Sequence, residues 1–217
     1  MRLYCLPGLG VAHRLYDRCD FGIHPINWLD WPVMPVGSML EDYARVMATQ
    51  VDAAEAHVLI GTSMGGMVAQ EMAAITRPQR VIIISSWKGP QEIPWLIRAI
   101  RTLRLERLLT DWTMRRFVPT LRMMRWKLGA EKEDAQRLVG TMMNAWPAAQ
   151  IRVMVRAALA WKGAEVKDLV HIHGDRDALM PVRCIKDAIV IKVGTHMMVY
   201  TMAGEVSAAV RSALSAH

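Results

Sequence analysis

Long apolar runs are absent from the sequence, and their absence limits the classes of protein to which the chain can belong. No stretch approaches the roughly 20 apolar residues that a membrane-spanning helix needs. The apolar start of the chain is interrupted at Pro7, too early to form the central region of a signal peptide. We therefore expect neither a transmembrane helix nor a secretory leader.

Cysteine is also scarce. The chain has three cysteines, an odd number, and their spacing matches no metal-ligand motif. Free thiols are typical of proteins in a reducing compartment. We therefore expect a cytoplasmic protein with no bound metal, whose thiols are those of Cys5, Cys19 and Cys184.

Internal repeats, low-complexity segments and linkers are missing as well, so nothing divides the 217 residues into independent domains. Hydrophobic residues make up 53% of the chain, which excludes a disordered protein. A chain of this length can bury a sizeable core without the support of disulfides. We therefore expect one globular domain.

Positive charge is concentrated in one part of the chain. The net charge is +7, and residues 87–165 contain fifteen Lys and Arg against seven Asp and Glu. This segment alone carries +8, and the rest of the chain carries about −1. No nucleic-acid recognition motif accompanies the charge. We therefore expect no nucleic-acid partner.

Short apolar runs rich in β-branched residues predict strands, and helical periodicity occupies the intervals between them. Such alternation is typical of a parallel sheet that is covered on both faces. The predicted fold is α/β, with a mostly parallel sheet of about six strands covered by helices on both faces. The strands are predicted at residues 3–6, 26–31, 57–60, 81–84, 166–172 and 188–193, and the helices at 39–51, with Ser38 as its cap, 67–75 and 201–214.

The strand pattern is interrupted between residues 87 and 165, where helix-forming residues dominate and prolines and glycines separate them. We interpret this segment as an inserted helical lid of three to five helices, and residues 1–86 and 166–217 as the core. Six of the eight tryptophans lie in the lid segment. Most of these tryptophans are expected to form the core of the lid. The lid segment as a whole is rich in Trp, Met and Leu, and this apolar character favours an apolar ligand.

Residues 61–65, Gly-Thr-Ser-Met-Gly, match the motif G-x-S-x-G. In this motif a serine lies in a strained turn between a strand and a helix, and glycines flank it because side chains would clash there. The predicted strand before the motif and the predicted helix after it supply that context. We therefore predict that Ser63 is a nucleophile. The alternative is a glycine-rich turn with a buried or capping serine.

A serine nucleophile needs a base within hydrogen-bonding reach and an acid that orients the base. Of the seven histidines, only His196 follows a late predicted strand, directly after a Gly-Thr pair. His196 is therefore the candidate base. Asp175 and Asp177 both follow the strand predicted at 166–172, and the pattern of residues leaves the choice of acid open. One of the two is expected to accept backbone N–H bonds in its own loop.

The chain resembles the alpha/beta-hydrolase superfamily in three blocks, residues 61–66, 173–177 and 194–196. In this family the acid is the last aspartate of the block that follows the late strand. The resemblance therefore implies that Asp177 is the acid and that Asp175 is its structural neighbour. The implied catalytic triad is Ser63, Asp177 and His196.

The resemblance also implies an oxyanion hole made of the backbone N–H groups of Leu9 and Met64. Two features depart from the family pattern. Pro7 stands where the family often has a histidine, and the chain starts too late to contain the first two strands of the family. We therefore expect a small, trimmed member with a helical lid.

The activity implied by the resemblance is hydrolysis of a carboxylic ester, a small molecule with a small to medium apolar acyl group, through an acyl-serine intermediate and without a cofactor. The alternatives are a thioesterase or acyltransferase acting on an anionic acyl carrier, or a lyase or ligand sensor with the same fold. A predicted lid helix carries Arg98, Arg101 and Arg104 on one face. A solvated surface is favoured for this face over contact with an anionic membrane.

Overall fold

A computed structural model describes residues 1–103, 110 and 133–215 of the chain. Its strands are β1 Arg2–Leu6, β2 Ile26–Trp28, β3 His57–Thr62, β4 Arg80–Ile84, β5 Leu169–Gly174 and β6 Ile189–Ile191. They form one parallel sheet in the order β2-β1-β3-β4-β5-β6. The prediction of a mostly parallel sheet of about six strands is confirmed.

α-Helices connect β2 to β3, β3 to β4 and β4 to β5, and two more follow β6. The described α-helices are α1 Leu40–Ala48, α2 Met64–Thr76, α3 Trp95–Thr102, α4 Glu133–Asn144, α5 Ala148–Ala160, α6 Met198–Thr201 and α7 Ala203–Ser215. Parallel strands require such crossover connections, because a tight turn would reverse the direction of the chain.

Alternate residues of the central strands face two separate apolar cores. Leu59 of β3 belongs to a cluster that contains α1 and α2, whereas Val58 and Ile60 belong to a second cluster that contains α7. Successive side chains of a strand point to opposite faces of the sheet, so both faces of β3 are buried. This burial explains the continuous apolar run in the sequence and confirms that helices cover both faces.

Several predicted ends are wrong. The strand predicted at 166–172 is Leu169–Gly174, and the helix predicted at 39–51 ends at Ala48. The strand predicted at 26–31 ends at Trp28, because β1 pairs with only three residues of it and the last pair is Cys5 with Trp28. Ser38 does not cap α1. Met39 is the residue before the helix, and its backbone N–H donates to the carboxylate of Asp42 in the first turn at 2.9 Å.

Between β4 and β5 the described residues form α3, α4 and α5 and no strand. Residues 104–109 and 111–132 lie outside the described residues, as do the side chains of Arg98 and Arg101. The predicted number of lid helices and the predicted arginine face, which includes Arg104, are therefore not described by the structure, and the lid bounds 87–165 stay a prediction. Among the helices that are described, none is long and apolar enough to cross a membrane.

Helix α5 lies against the loop that follows β1. The side-chain amide of Gln150 hydrogen-bonds both the backbone N–H and the carbonyl of Met34, each at 3.0 Å. The next residue, Ile151, approaches Gly10 so closely that a Cβ atom on this glycine would lie 2.8 Å from the Ile151 Cδ1 atom. The helix therefore covers the carboxyl end of β1, where the candidate site begins.

Candidate active site

Ser63 occupies the junction between β3 and α2 in a strained backbone conformation. Its φ is 54° and its ψ is −123°, values that are rare for residues other than glycine. Its N–H donates to the carbonyl of Ile84 at 2.9 Å, and its carbonyl accepts the hydroxyl of Ser86 at 2.7 Å. Ser86, which lies two residues after the predicted strand 81–84, was not identified from the sequence. The two bonds tie the turn to the last residue of β4 and to the loop that follows it.

Two glycines permit this turn. A Cβ atom at Gly61 would lie less than 3.0 Å from backbone atoms of Gly65, and a Cβ atom at Gly65 would lie 2.5 Å from the carbonyl oxygen of Leu6. Backbone atoms in a strand and a helix cannot move aside, so only glycine fits at either position. The steric reason given for the motif therefore holds in the structure.

The predicted site residues all follow the carboxyl ends of parallel strands, where ligands bind in folds of this class. Leu9 follows β1, Ser63 follows β3, Asp177 follows β5 and His196 follows β6. The last two loops touch, because the backbone N–H of Arg176 donates to the carbonyl of Gly194 at 2.8 Å. The topology thus brings residues from distant parts of the chain to one edge of the sheet.

Hydrogen bonds connect the three side chains of the predicted triad. Ser63 Oγ lies 3.1 Å from His196 Nε2, and His196 Nδ1 lies 2.8 Å from Asp177 Oδ2. Only 5% of His196 and 3% of Asp177 are exposed, whereas Ser63 is half-buried. The histidine and the aspartate are shielded from water, while Ser63 is partly exposed.

The carboxylate of Asp177 is held from two sides. Its Oδ1 atom accepts the backbone N–H groups of Leu179 at 2.9 Å and Met180 at 2.7 Å. Burial opposes its ionisation, but the interaction with His196 and these hydrogen bonds outweigh burial and lower the pKa of Asp177 below its ordinary value. An ionised carboxylate can only accept, so the proton between the two residues belongs to His196 Nδ1.

Asp175 occupies a different place. Its Oδ1 atom accepts the backbone N–H of Val193 at 2.7 Å, and its Oδ2 atom lies 3.7 Å from the ammonium group of the exposed Lys192. These contacts connect the loop after β5 to the end of β6. The expectation that one aspartate of this pair accepts a loop N–H applies to both, because Asp177 also accepts backbone N–H bonds.

Two buried histidines of β5 support the loop that holds Asp177. His173 Nε2 lies 2.7 Å from the carbonyl oxygen of Met180, and His173 Nδ1 lies 3.1 Å from His171 Nε2. A carbonyl only accepts, so Nε2 of His173 carries its proton and Nδ1 accepts a hydrogen bond from His171. Burial is the main cause that lowers the pKa of His171 to about 3 and the pKa of His173 below its ordinary value. Both rings are therefore neutral.

The two predicted oxyanion donors lie close to Ser63. Met64 is the first residue of α2 and directly follows Ser63. A Cβ atom on Gly8, the residue before Leu9, would lie 3.5 Å from the Cβ atom of Ser63. Among the hydrogen bonds of the described residues, none uses the backbone N–H of Leu9 or Met64. Neither N–H is therefore engaged elsewhere among the described residues, and that of Met64 lies at a helix N-terminus, which favours negative charge.

In the part of the chain that the structure describes, no group of three or more His, Cys, Asp or Glu side chains could hold a metal ion. Cys5, Cys19 and Cys184 are free thiols. The cytoplasmic location inferred from free thiols stays a prediction.

Comparison with protein families matches residues 3–209 to the alpha/beta hydrolase family. The match extends over nearly the whole chain, including the segment interpreted as a lid. A search of curated protein sequences finds no match.

Solved structures share the fold at low sequence identity. An esterase from Thermogutta terrifontis, solved with malate bound, superposes with a TM-score of 0.74 at 17% identity, over 99% of this chain and 89% of that one. MenH from S. aureus has a TM-score of 0.72 at 15% identity, over 99% and 93%. The RedJ thioesterase of prodiginine biosynthesis in Streptomyces coelicolor has a TM-score of 0.62 at 16% identity, over 98% and 90%.

Proposed function

Because the chain belongs to the alpha/beta hydrolase family, we propose that it is a serine hydrolase that cleaves a carboxylic ester with a small to medium apolar acyl group. The observation that carries the proposal is the chain of hydrogen bonds from Ser63 through His196 to Asp177 at the edge of the sheet.

The reaction begins at the serine hydroxyl. With its ring proton on Nδ1, His196 accepts at Nε2 the proton of Ser63 Oγ as this oxygen attacks the ester carbonyl. The carbonyl oxygen becomes an oxyanion, which the N–H groups of Leu9 and Met64 stabilise. His196 then gives its proton to the departing alcohol, and Asp177 stabilises the imidazolium that exists between these steps.

Water completes the cycle. His196 takes a proton from the water as the water attacks the acyl-serine, and it returns that proton to Ser63 Oγ when the second tetrahedral intermediate collapses. The carboxylic acid leaves and the free serine is restored. Both halves of the reaction use the same oxyanion donors, so a change in their position affects acylation and deacylation together.

An apolar acyl group fits the surroundings of the site. The loops after β1, β4 and β5 contribute Leu9, Trp87 and Met180 to one apolar cluster with Ile151 of α5. Apolar side chains with a few polar groups at one end are typical of pockets that bind small apolar ligands. The structural similarity to an esterase is consistent with an ester substrate.

A panel of nitrophenyl esters of increasing acyl length tests the proposal. The wild-type protein should hydrolyse the shorter esters best, and Ser63→Ala should retain less than about 1% of the rate, because nucleophile and base act as a unit. Ser212→Ala is a matched control, since Ser212 is exposed on α7. Undiminished hydrolysis by Ser63→Ala would refute the proposal.

A thioesterase that acts on an anionic acyl carrier is the second candidate. The balance of +8 over residues 87–165 favours it, and so does the fold shared with a thioesterase. Attraction between exposed charges is screened beyond about 8 to 10 Å at physiological salt, so kcat/KM for an anionic acyl thioester should then fall with added salt. Replacing Arg98, Arg101 and Arg104 with glutamine should remove that dependence. Equal salt responses for a neutral nitrophenyl ester and the anionic thioester would leave the ester as the substrate.

A further inference from the structure

We propose that Trp31 is a positioning residue for the oxyanion hole, because its indole N–H determines the direction of the Leu9 N–H. The inference rests on the proposed serine hydrolase activity and adds to it a residue outside the predicted triad and the predicted oxyanion donors. Trp31 lies after β2, outside the G-x-S-x-G motif and the two late blocks.

A hydrogen bond connects Trp31 to the loop that follows β1. The Nε1 atom of Trp31 donates to the carbonyl oxygen of Gly8 at 2.7 Å, and the contact is buried. The described chain contains no cis peptide bonds, so the Gly8 carbonyl and the Leu9 N–H of the same peptide unit point in opposite directions. Holding the carbonyl oxygen on one side therefore holds the N–H on the other.

This peptide unit lies beside the nucleophile. Gly8 is close enough to Ser63 that a Cβ atom on it would lie 3.5 Å from the Cβ of Ser63. No hydrogen bond among the described residues uses the Leu9 N–H. Without Trp31 this peptide unit could rotate, because the Val11 N–H, at 3.2 Å, would be the remaining donor to the Gly8 carbonyl.

The indole also strengthens the donor it orients. A hydrogen bond to the carbonyl oxygen polarises the peptide unit, so that its N–H becomes a better donor. The Gly8 carbonyl receives two such bonds, from Trp31 and from Val11. The negative charge that develops on the substrate oxygen therefore meets a donor that is both oriented and polarised.

The Trp31 ring is itself held in place. Only 6% of the residue is exposed, and the ring packs edge-to-face against Tyr43 with centroids 5.6 Å apart. Three residues after Trp31, the backbone N–H and the carbonyl of Met34 both hydrogen-bond the side-chain amide of Gln150 in α5. A ring without the N–H would keep this packing and lose only the hydrogen bond to Gly8.

Trp31→Phe tests the inference through the difference between kcat and KM. Removing an oxyanion donor typically lowers kcat by about 10² to 10³-fold, and misdirecting one should lower it by about tenfold or more. KM for a nitrophenyl ester should stay near its wild-type value, because the effect arises in the transition state. Benzothienylalanine at position 31 replaces the N–H with sulfur at nearly the same shape, and it should give the same loss even if the phenylalanine variant folds poorly.

A trifluoromethyl ketone supplies a second measurement. Ser63 Oγ adds to its carbonyl carbon, the hydroxyl proton passes to His196, and the former carbonyl oxygen carries the negative charge in the oxyanion hole. The inhibition constant of this ketone should rise by the same factor as kcat/KM falls. The matching ketone without fluorine, which binds largely without forming the oxyanion, should be unaffected.

Two control variants separate positioning from general packing. Tyr43→Phe keeps the edge-to-face contact, and Trp161→Phe removes the part-buried hydrogen bond that another indole N–H donates to Glu71 at 2.6 Å. Both should leave kcat near its wild-type value. Unchanged kcat in both Trp31 variants, or an equal loss in the controls, would overturn the inference. Hydrolysis that survives in Ser63→Ala would instead refute the proposed function, so the two failures are distinguishable.

Discussion

Asp177→Asn should leave the fold intact and nearly abolish turnover, because the surrounding hydrogen bonds dictate which way the new amide faces. Oδ1 of Asp177 accepts the backbone N–H groups of Leu179 and Met180. In the variant the amide oxygen must keep that place, since an NH2 group there would face two donors. The NH2 group would then point at Nδ1 of His196, where Oδ2 of Asp177 now lies at 2.8 Å.

The change in the tautomer of His196 determines how much kcat is lost. An NH2 group can only donate, so Nδ1 of His196 would become an acceptor and Nε2 would carry the proton. A protonated Nε2 cannot take the proton of Ser63. The same change in a serine-protease triad lowers kcat by about 10⁴-fold, and we expect a loss of that order. Both backbone hydrogen bonds remain, so the free energy of unfolding should fall by at most about 3 kcal/mol.

Asp175→Asn is the matched control. Its amide oxygen can still accept the Val193 N–H, and the lost ion pair with the exposed Lys192 is worth at most about 1 kcal/mol. The assay compares kcat for a nitrophenyl ester, with urea unfolding as the check on the fold. We expect kcat near the wild-type value for Asp175→Asn. An equal loss in the two variants, or a larger one at Asp175, would reject Asp177 as the acid.

Two further changes test the packing and the electrostatics of the site. Gly65→Ala should prevent fluorophosphonate labelling, because the new Cβ would lie 2.5 Å from a carbonyl oxygen of β1. Gly140→Ala in α4 is the comparison, since nothing lies within 4 Å of its new Cβ. This second variant should stabilise the protein by up to about 1 kcal/mol. Equal labelling of the two variants would argue against the close approach at Gly65. Burial, with His173 and Lys88, lowers the pKa of His171 from 6.5 to about 3, so the unfolded chain binds its proton first as the pH falls. The free energy of unfolding is therefore not reduced by this group above pH 6.5, and it falls as the pH decreases toward 3. At about 1.4 kcal/mol per pKa unit, the total decrease is up to about 5 kcal/mol. Urea unfolding of His171→Gln, whose amide does not titrate, should show a smaller decrease over that range, and parallel curves would contradict the assignment.

Local patterns predicted those features that local sterics determine. The strand at 57–60 and the turn around Ser63 were predicted because an apolar run and two glycines in the right places permit few other conformations. The placement of His196 and of the two candidate aspartates after late strands follows from the strand pattern, since parallel strands bring their carboxyl ends to one edge. The choice of Asp177 over Asp175 rests on the family resemblance. These parts of the fold and of the site were accessible from the sequence.

Contacts between distant segments were not accessible in that way. Tyr16 donates to the carbonyl of Leu6 at 2.8 Å and lies 2.7 Å from Thr62 Oγ1, so that it connects the ends of β1 and β3. Trp31 was assigned to a strand, but β2 ends before it and frees its indole to reach Gly8. Such pairs depend on which loops meet after folding, and a single residue in a loop carries no periodic signal of its partner.

The nucleophile can be identified directly by mapping where a fluorophosphonate attaches to the protein. After brief labelling and proteolysis, mass spectrometry should find the phosphonyl group on Ser63 alone, at a stoichiometry near one. His196→Ala should slow the labelling severely, because Ser63 then lacks the base that accepts its proton. Attachment at another residue, or labelling of His196→Ala at the wild-type rate, would contradict the assignment of Ser63 and His196 as nucleophile and base.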